Sequence, residues 1–268
     1  MTQVAIIGAG VMGETLLSGL VRAGRRVDDL LVGEKRRERA AELSERYGVT
    51  VVGNVEAAQK ADTLALVVKP QDMGDLLDEI AGVVRPGQLI VSLAAGITTG
   101  FIESRLPEGV AVVRVMPNTP ALVDEGMAAI SRGSHCDEKH LLEAEELMAS
   151  TGRVLRVPEK QQDAVTAISG SGPAYLFFVV ESMIEAGVHL GLPRATASEL
   201  VVQTVVGSAK LLRETGEHPV VLRERVTSPG GTTAAAIREL EDHKVRAAFL
   251  TALEAARDRS RALAEDQT

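Results

Sequence analysis

Val4-Ala5-Ile6-Ile7-Gly8-Ala9-Gly10-Val11-Met12-Gly13 lies almost at the start of the chain. A short, mostly β-branched run enters Gly-x-Gly-x-x-Gly, and a helical pattern with Leu16, Leu17, Leu20 and Val21 on one face follows at once. Strand, tight turn and helix N-terminus in that order form a dinucleotide-binding unit. Gly8 permits the turn, Gly10 lets backbone approach a pyrophosphate, and Gly13 allows the helix to pack closely on the strand. The unpaired N–H groups and positive dipole end of that helix would face the phosphates. Glycines alone could serve an ordinary turn; the strand before them and the helix after decide for the cofactor.

Outward from this stretch, strand and helix signals alternate. Strand-like runs fall at Val4–Ile7, Leu30–Val32, Leu64–Val68, Leu89–Leu93 and Ala111–Met116, with helical patterns near Gly13–Ala23, Arg36–Tyr47, Met73–Val83 and Thr99–Arg105 between them. Alternation of this kind predicts a parallel sheet covered on both faces. A further strand pair, Gly126–Ser131 and Arg153–Val157, flanks a helix at Asp137–Thr151. From about Glu159 strand signals stop and Ala-, Val- and Leu-rich helical patterns take over, at Gln161–Ile168, Ala174–Leu190, Arg194–Thr215, Pro219–Val226, Thr232–Glu241 and Lys244–Ala264. Several are apolar on more than one side, which asks for a second copy to cover them. The expected class is α/β: a Rossmann-type doubly wound parallel sheet (residues 1–158), then an all-helical dimerisation and substrate-binding domain (159–268).

Composition removes other readings. The 268 residues carry a net charge of −8, which argues against binding nucleic acid through its phosphates. Six aromatics, Tyr47, Phe101, Tyr175, Phe177, Phe178 and Phe249, are too few and scattered to stack bases. Cys136 is the lone cysteine, so no intrachain disulfide forms and a reducing, cytoplasmic setting is natural. The chain starts directly in a strand without a leader pattern, and no apolar run reaches bilayer length, so no membrane partner is expected. His135, Cys136 and His140 fit no zinc spacing, and no metal is expected.

Certain residues could carry chemistry. Glu34 follows Gly13 by 21 positions, where an acid would bind a ribose hydroxyl and favour NAD; Lys35, Arg36 and Arg37 follow immediately and would suit a 2′-phosphate. The two signals conflict, and the basic run tips the expectation to NADPH, with NADH as an alternative. In Val68-Lys69-Pro70, Pro70 stops the strand and holds Lys69 at the carboxyl edge of the sheet. Ala94-Ala95-Gly96 is small enough to leave room for ribose or nicotinamide. Arg114-Val115-Met116-Pro117-Asn118-Thr119-Pro120 and Ser169-Gly170-Ser171-Gly172-Pro173-Ala174-Tyr175 read as a rigid loop and a second helix start. Val226-Thr227-Ser228-Pro229-Gly230-Gly231-Thr232-Thr233 has glycines that free the backbone and hydroxyls that donate. It contains no cation, so its N–H groups would hold a small carboxylate.

Together these stretches resemble the pyrroline-5-carboxylate reductase family over nearly the whole chain. The markers are Ile7-Gly8-Ala9-Gly10-Val11-Met12, Val68-Lys69-Pro70-Gln71, Val115 to Pro120, Ser169 to Tyr175 and Thr227 to Thr233. The resemblance implies hydride transfer from NAD(P)H to the C=N carbon of 1-pyrroline-5-carboxylate, giving L-proline. It implies that Gly8, Ala9, Gly10, Val11, Met12 and Gly13 hold the pyrophosphate, and that Asn54, Val68, Lys69, Pro70, Ala94 and Gly96 line the cofactor, with Glu34 and Lys35 at its ribose. Ser228, Gly230, Gly231 and Thr232 would grip the substrate carboxylate, and Thr233 would bond the ring nitrogen as the catalytic contact. The family further implies a homodimer, assembled into a larger ring such as a decamer. Glu34-Lys35 departs from the family's usual small polar residue and Arg, which puts cofactor preference in question; Asp124 is a second departure. A β-hydroxyacid dehydrogenase would want a lysine on the helix after Ser169–Pro173, where the sequence is apolar until Glu181. A reductase for another cyclic imine and a non-catalytic NADP sensor are the remaining alternatives.

Overall fold

The computed structural model describes residues 2–265. Eight strands form one sheet in the order β3-β2-β1-β4-β5-β6-β7-β8. They are β1 (Val4–Ile7), β2 (Leu30–Gly33), β3 (Thr50–Val52), β4 (Thr63–Leu66), β5 (Leu89–Ser92), β6 (Ala111–Met116), β7 (Gly126–Arg132) and β8 (Gly152–Arg156). All pairings are parallel except β6 with β7. The sheet is thus mostly parallel, as expected, with one antiparallel pair that the sequence did not announce. Residues 117–125, with the turn Thr119–Val123 in their middle, join β6 to β7, and a parallel return would need a crossover of a dozen or more residues. The chain reverses its direction of travel across the sheet between β1 and β4, where doubly wound sheets open a crevice beyond the strand ends.

Alternation along the strands builds two cores. Val4 and Ile6 point to one face with α1 (Val11–Arg22), α2 (Arg37–Tyr47) and α6 (Glu138–Ala149), whose Leu16, Leu17, Leu43, Ala144 and Leu147 are all buried. Ala5 and Ile7 point to the other face, under α3 (Asn54–Lys60), α4 (Met73–Ile80) and α5 (Thr99–Glu103), which contribute Ala57, Leu77, Ile80 and Ile102. The elements β3 and α3 lie where the sequence carried no strand or helix expectation. β4 ends at Leu66, two residues before the expected Val68.

The remaining helices are α7 (Gln162–Val165), α8 (Gly172–His189), α9 (Arg194–Thr215), α10 (Pro219–Arg225), α11 (Thr232–Asp242) and α12 (Val245–Glu265). A single π-helical turn, Thr166–Gly170, separates α7 from α8, and Ser171 N–H donates to Thr166 O at 2.8 Å. The π turn takes in Ser169 and Gly170, and α8 begins at Gly172 with Pro173 in its first turn, so the expected helix start directly follows another helical segment. The run Glu159–His189 is long and apolar enough by composition to cross a membrane, a correction to the expectation that no stretch reaches that length.

The chain forms two compact units. Residues 2–171 and 256–265 make the first, and 172–255 the second. The end of α12 is fastened to the first unit where Ser260 Oγ donates to Asp163 Oδ1 at 2.8 Å. In the second unit, α8 and α9 pack together, and Ala197 and Val201 are the buried residues among those described.

Candidate functional site: a nucleotide cleft and a carboxylate loop

Gly8 lies at φ +97°, and a Cβ there would stand 2.8 Å from Val67 O. Its N–H donates to Gly33 O at 3.1 Å, tying the turn to the end of β2. At Gly13 a Cβ would come within 2.1 Å of Gly8 O, so α1 sits against the turn only because no side chain intervenes. Gly10 is the contrast: a Cβ there meets nothing within 4 Å. The backbone is open where it begins α1, and the first-turn N–H groups have no intrahelical partner. A glycine retained where nothing inside the chain demands one leaves room for a ligand, so the turn fits a pyrophosphate.

Beside this turn a cleft of about 290 Å³ is lined by Ile7, Gly8, Gly33, Glu34, Lys35, Asn54, Val68, Asp72, Asp75 and Leu76. Five residues singled out in the sequence thus meet in one place: Gly8, Glu34, Lys35, Asn54 and Val68. Asp72, Asp75 and Leu76 were not among them. They arrive because Pro70 starts a tight turn, Pro70–Asp72, which feeds directly into α4; the strand-stopping Pro70 was the available signal.

The charges around the cleft are mostly engaged. Lys35 Nζ lies 2.9 Å from Glu79 Oε2, and Asn54 Nδ2 donates to the same oxygen at 3.0 Å. Burial pushes the Glu79 carboxyl up, but these two donors offset it and leave it below the usual glutamate value. Glu14, in the first turn of α1, accepts from Arg39, from Arg46 at 2.8 Å and from Tyr47 at 2.9 Å. Burial again raises it and these partners more than reverse the effect. Arg39 Nε also donates to Ala9 O at 3.2 Å, so Arg39 braces the glycine turn.

Ala94 is buried and Gly96, at φ +78°, is half-buried, with a Cβ position 3.8 Å from Ala264 of the α12 end. Lys69 is exposed ahead of Pro70. Asn118 is spent on architecture: its Oδ1 accepts from Met127 N–H at 2.8 Å and its Nδ2 donates to Ser169 O at 3.2 Å, which holds the π turn. Asp124, at φ +60°, pairs with Arg22 of α1 at 2.5 Å and anchors the loop after β6. Cys136 is buried with its thiol on Val112 O, and burial pushes it up. His140 closes a capping box with Asp137 at the start of α6.

In the second unit, Ser228-Pro229-Gly230-Gly231 makes a turn closed by Gly231 N–H to Ser228 O at 3.0 Å. Pro at its second position and Gly230 at φ +70° in its third are the chemistry of a type II turn. A Cβ on Gly231 would fall 2.4 Å from Ser228 Oγ, so the hydroxyl can lie over the backbone. Gly231 then caps α11 with no side-chain cap. Because its own N–H is used in the turn, the free donors are the N–H groups of Thr232 and Thr233 and their hydroxyls. Ser228, Gly230 and Thr232 are exposed and Thr233 is half-buried. The nucleotide residues and this loop belong to different units.

Comparison with known proteins adds kinship to this geometry. Residues 159–263 match the family model for pyrroline-5-carboxylate reductase dimerisation, and residues 3–96 match that for NADP oxidoreductase, coenzyme F420-dependent. A pyrroline-5-carboxylate reductase of Corynebacterium melassecola is 46% identical over 267 residues, covering 98% of this chain and 99% of that protein. One of Mycobacterium tuberculosis is 43% identical, covering 98% and 97%. Among solved structures, the Coxiella burnetii pyrroline-5-carboxylate reductase has a TM-score of 0.94 at 36% identity, covering 98% of both chains. A Plasmodium falciparum pyrroline carboxylate reductase with NADP bound has a TM-score of 0.87 at 29% identity, also covering 98% of each.

Proposed function

The chain belongs to the pyrroline-5-carboxylate reductase family, and from that premise we infer that it reduces the C=N bond of 1-pyrroline-5-carboxylate to L-proline with NAD(P)H, the last step of proline synthesis. The observation that carries the substrate is the loop Ser228–Thr233: a cation-free turn that opens α11 with unpaired N–H groups and hydroxyls suits a small carboxylate.

The cofactor, when bound, supplies the hydride. The residues of this chain hold and orient. The N–H groups of Val11, Met12 and Gly13 would hold the pyrophosphate of the bound cofactor in the space that Gly10 leaves, with Ala9 held by Arg39. Asn54, Val68, Lys69 and Pro70 line the cofactor from the β4 side, and Ala94 and Gly96 leave it room. Ser228 Oγ and Thr232 N–H grip the substrate carboxylate, while Gly230 and Gly231 give the turn its shape. Thr233 Oγ1 hydrogen-bonds the ring nitrogen. A hydroxyl is too weak an acid to protonate the imine nitrogen by itself, so Thr233 orients the ring and the proton comes with the substrate or through water. Positioning of this kind supplies much of the rate in a hydride transfer.

The working division is 1–158 for the nucleotide and 159–268 for dimerisation and substrate. The homo-oligomer is built on the helical half, and the dimers assemble further into a ring such as a decamer; the protein works in the cytoplasm. A ring is supported by apolar surface on α11 and α12, where Leu240, Phe249 and Leu250 are exposed. The test is oxidation of NADPH and of NADH with 1-pyrroline-5-carboxylate, followed at the nicotinamide absorbance with proline measured as product. Substrate-dependent oxidation is expected; its absence with both cofactors in a folded oligomer would overturn the assignment in favour of another cyclic imine or a non-catalytic NADP sensor. Light scattering measures the ring.

A further inference from the structure

Arg114 is a charged residue inside the sheet. It alternates with Val113 and Val115 and so shares the face of Val112, the face that α5 covers with Ile102. Its side chain is only 5% exposed. Its register neighbours, Ser92 of β5 and Ser131 of β7, are buried and carry no charge. Ser131 Oγ is engaged, donating to Val157 O and accepting from Gln162 Nε2, both at 2.8 Å, and Ser92 Oγ has no partner. The acid that answers Arg114 is Glu159, whose Oε1 lies 3.4 Å from Nη1; among the described residues no other acid comes within ion-pair distance. A buried guanidinium left without an acid is costly, so Arg114 dictates where Glu159 lies.

That placement brings Glu159 to a second partner. Its Oε1 accepts from Thr99 N–H at 2.8 Å and its Oε2 accepts from Thr99 Oγ1 at 2.6 Å. Thr99 opens α5, and the hydroxyl of the N-cap Thr98 is used on Phe101 N–H, so without Glu159 the Thr99 N–H would be an unpaired donor of a helix start. Residues 93–98, which join β5 to α5, are thereby held at both ends: Leu93 N–H donates to Leu66 O at 3.0 Å, and Thr99 is held by Glu159. Between these points Ala94, Ala95 and Gly96 have no side chain long enough to fix the segment from within. The strand order β2-β1-β4-β5 sets the segment on the other side of the glycine turn from Glu34, the side of the nicotinamide half of a bound dinucleotide. We propose that Glu159 is a positioning residue for hydride transfer: anchored by Arg114 and acting through Thr99, it holds residues 94–99 as the wall that borders the nicotinamide. This rests on the reductase reading above.

The test pairs turnover with two measurements that need no turnover, all on the intact oligomer. Glu159→Ala should lower kcat with NADPH and 1-pyrroline-5-carboxylate roughly tenfold or more. Binding of 2′,5′-ADP, which carries the adenosine half alone, should stay within about twofold by calorimetry. Amide hydrogen exchange across residues 94–99 of the cofactor-free protein should quicken roughly tenfold. Because Glu159→Ala strands Arg114, a gentler pair decides if that variant does not fold: Thr99→Ala should lower kcat about threefold to tenfold, and Thr99→Ser, which keeps the hydroxyl, should recover it. The proposal is overturned if Thr99→Ala turns over as the wild type does, if exchange across 94–99 is unchanged in Glu159→Ala, or if that variant loses 2′,5′-ADP as steeply as it loses turnover, the mark of a general loosening. A folded wild-type oligomer without turnover removes the reductase reading itself; a wild type that turns over, with the Thr99 pair indifferent, removes the positioning role alone.

Discussion

In the nucleotide-binding unit both faces of the sheet are covered, and Ile6, Ile7, Leu16, Leu64, Leu77, Ile90 and Val113 are all at 0–1% exposure. In residues 172–255 the balance is inverted. Leu176, Phe177, Phe178, Leu200, Val202, Val206 and Leu250 stand exposed. The difference lies in what each apolar surface can fold against. A strand with alternating faces finds helices from its own chain on both sides, whereas the helices of residues 172–255 carry more apolar surface than their own neighbours cover and leave it for another copy. One unit is held by its own core; if the other is completed by a further copy, its stability should rise with protein concentration.

The comparison breaks most visibly if charge is placed on the helical half. Phe178→Asp combined with Val206→Asp should give monomers in sedimentation and cut turnover by about a hundredfold or more, each lost apolar contact being worth roughly 1.5–3 kcal/mol. NADPH binding should survive, because the first unit keeps its core; loss of both together would mean the units are not independent. Within the first unit, Gly13→Ala should cost about 1–3 kcal/mol and lower Tm, as its methyl meets Gly8 O. Gly10→Ala should leave Tm unchanged and weaken NADPH binding, since its methyl occupies only ligand space. Equal Tm values for the two would undo the assignment of Gly10.

Thr233→Ala should lower kcat/KM for the imine roughly tenfold, the loss of one hydrogen bond, with NADPH affinity unchanged. The smallest effect concerns acid stability. Glu14 is held below its ordinary value in the folded state, so it contributes stability above the unfolded glutamate value, and this is lost as pH falls through the folded one. Glu14→Gln should therefore flatten the fall of Tm with acid at low pH and lower Tm near neutrality. An unchanged acid limb would show that the Arg39, Arg46 and Tyr47 contacts are not made in solution.

Much of this was legible because the deciding signals are local. β1, the glycine turn and α1 form one continuous pattern, and the helical half announces itself by period. The edge strand Thr50–Val52 escaped because three residues, none of them buried, give no alternation to read. Strand direction in β7 depends on connection length rather than on composition. The π turn at Thr166–Gly170 left no trace in composition; Ser169–Pro173 reads as the cap of α8, and the contact of Asn118 with Ser169 shows that the preceding turn is held by a distant loop. Side-chain pairing was the least legible. Nothing in Glu34-Lys35-Arg36 announces that the acid would take the arginine and that the lysine would go to Glu79, 44 positions on.

The fastening of α12 to the first unit has a bearing on synthesis. Asp163 emerges from the ribosome nearly a hundred residues before Ser260, its partner. The sheet can form while the chain is still being made, for all its strands precede residue 157. The turn at Gly96 and the α7 surface, however, receive their α12 cover only after residues 172–255 have been made. A nascent chain is thus a nearly complete nucleotide-binding body trailing apolar helices. Its Ser260–Asp163 contact forms only after all the strands have been made.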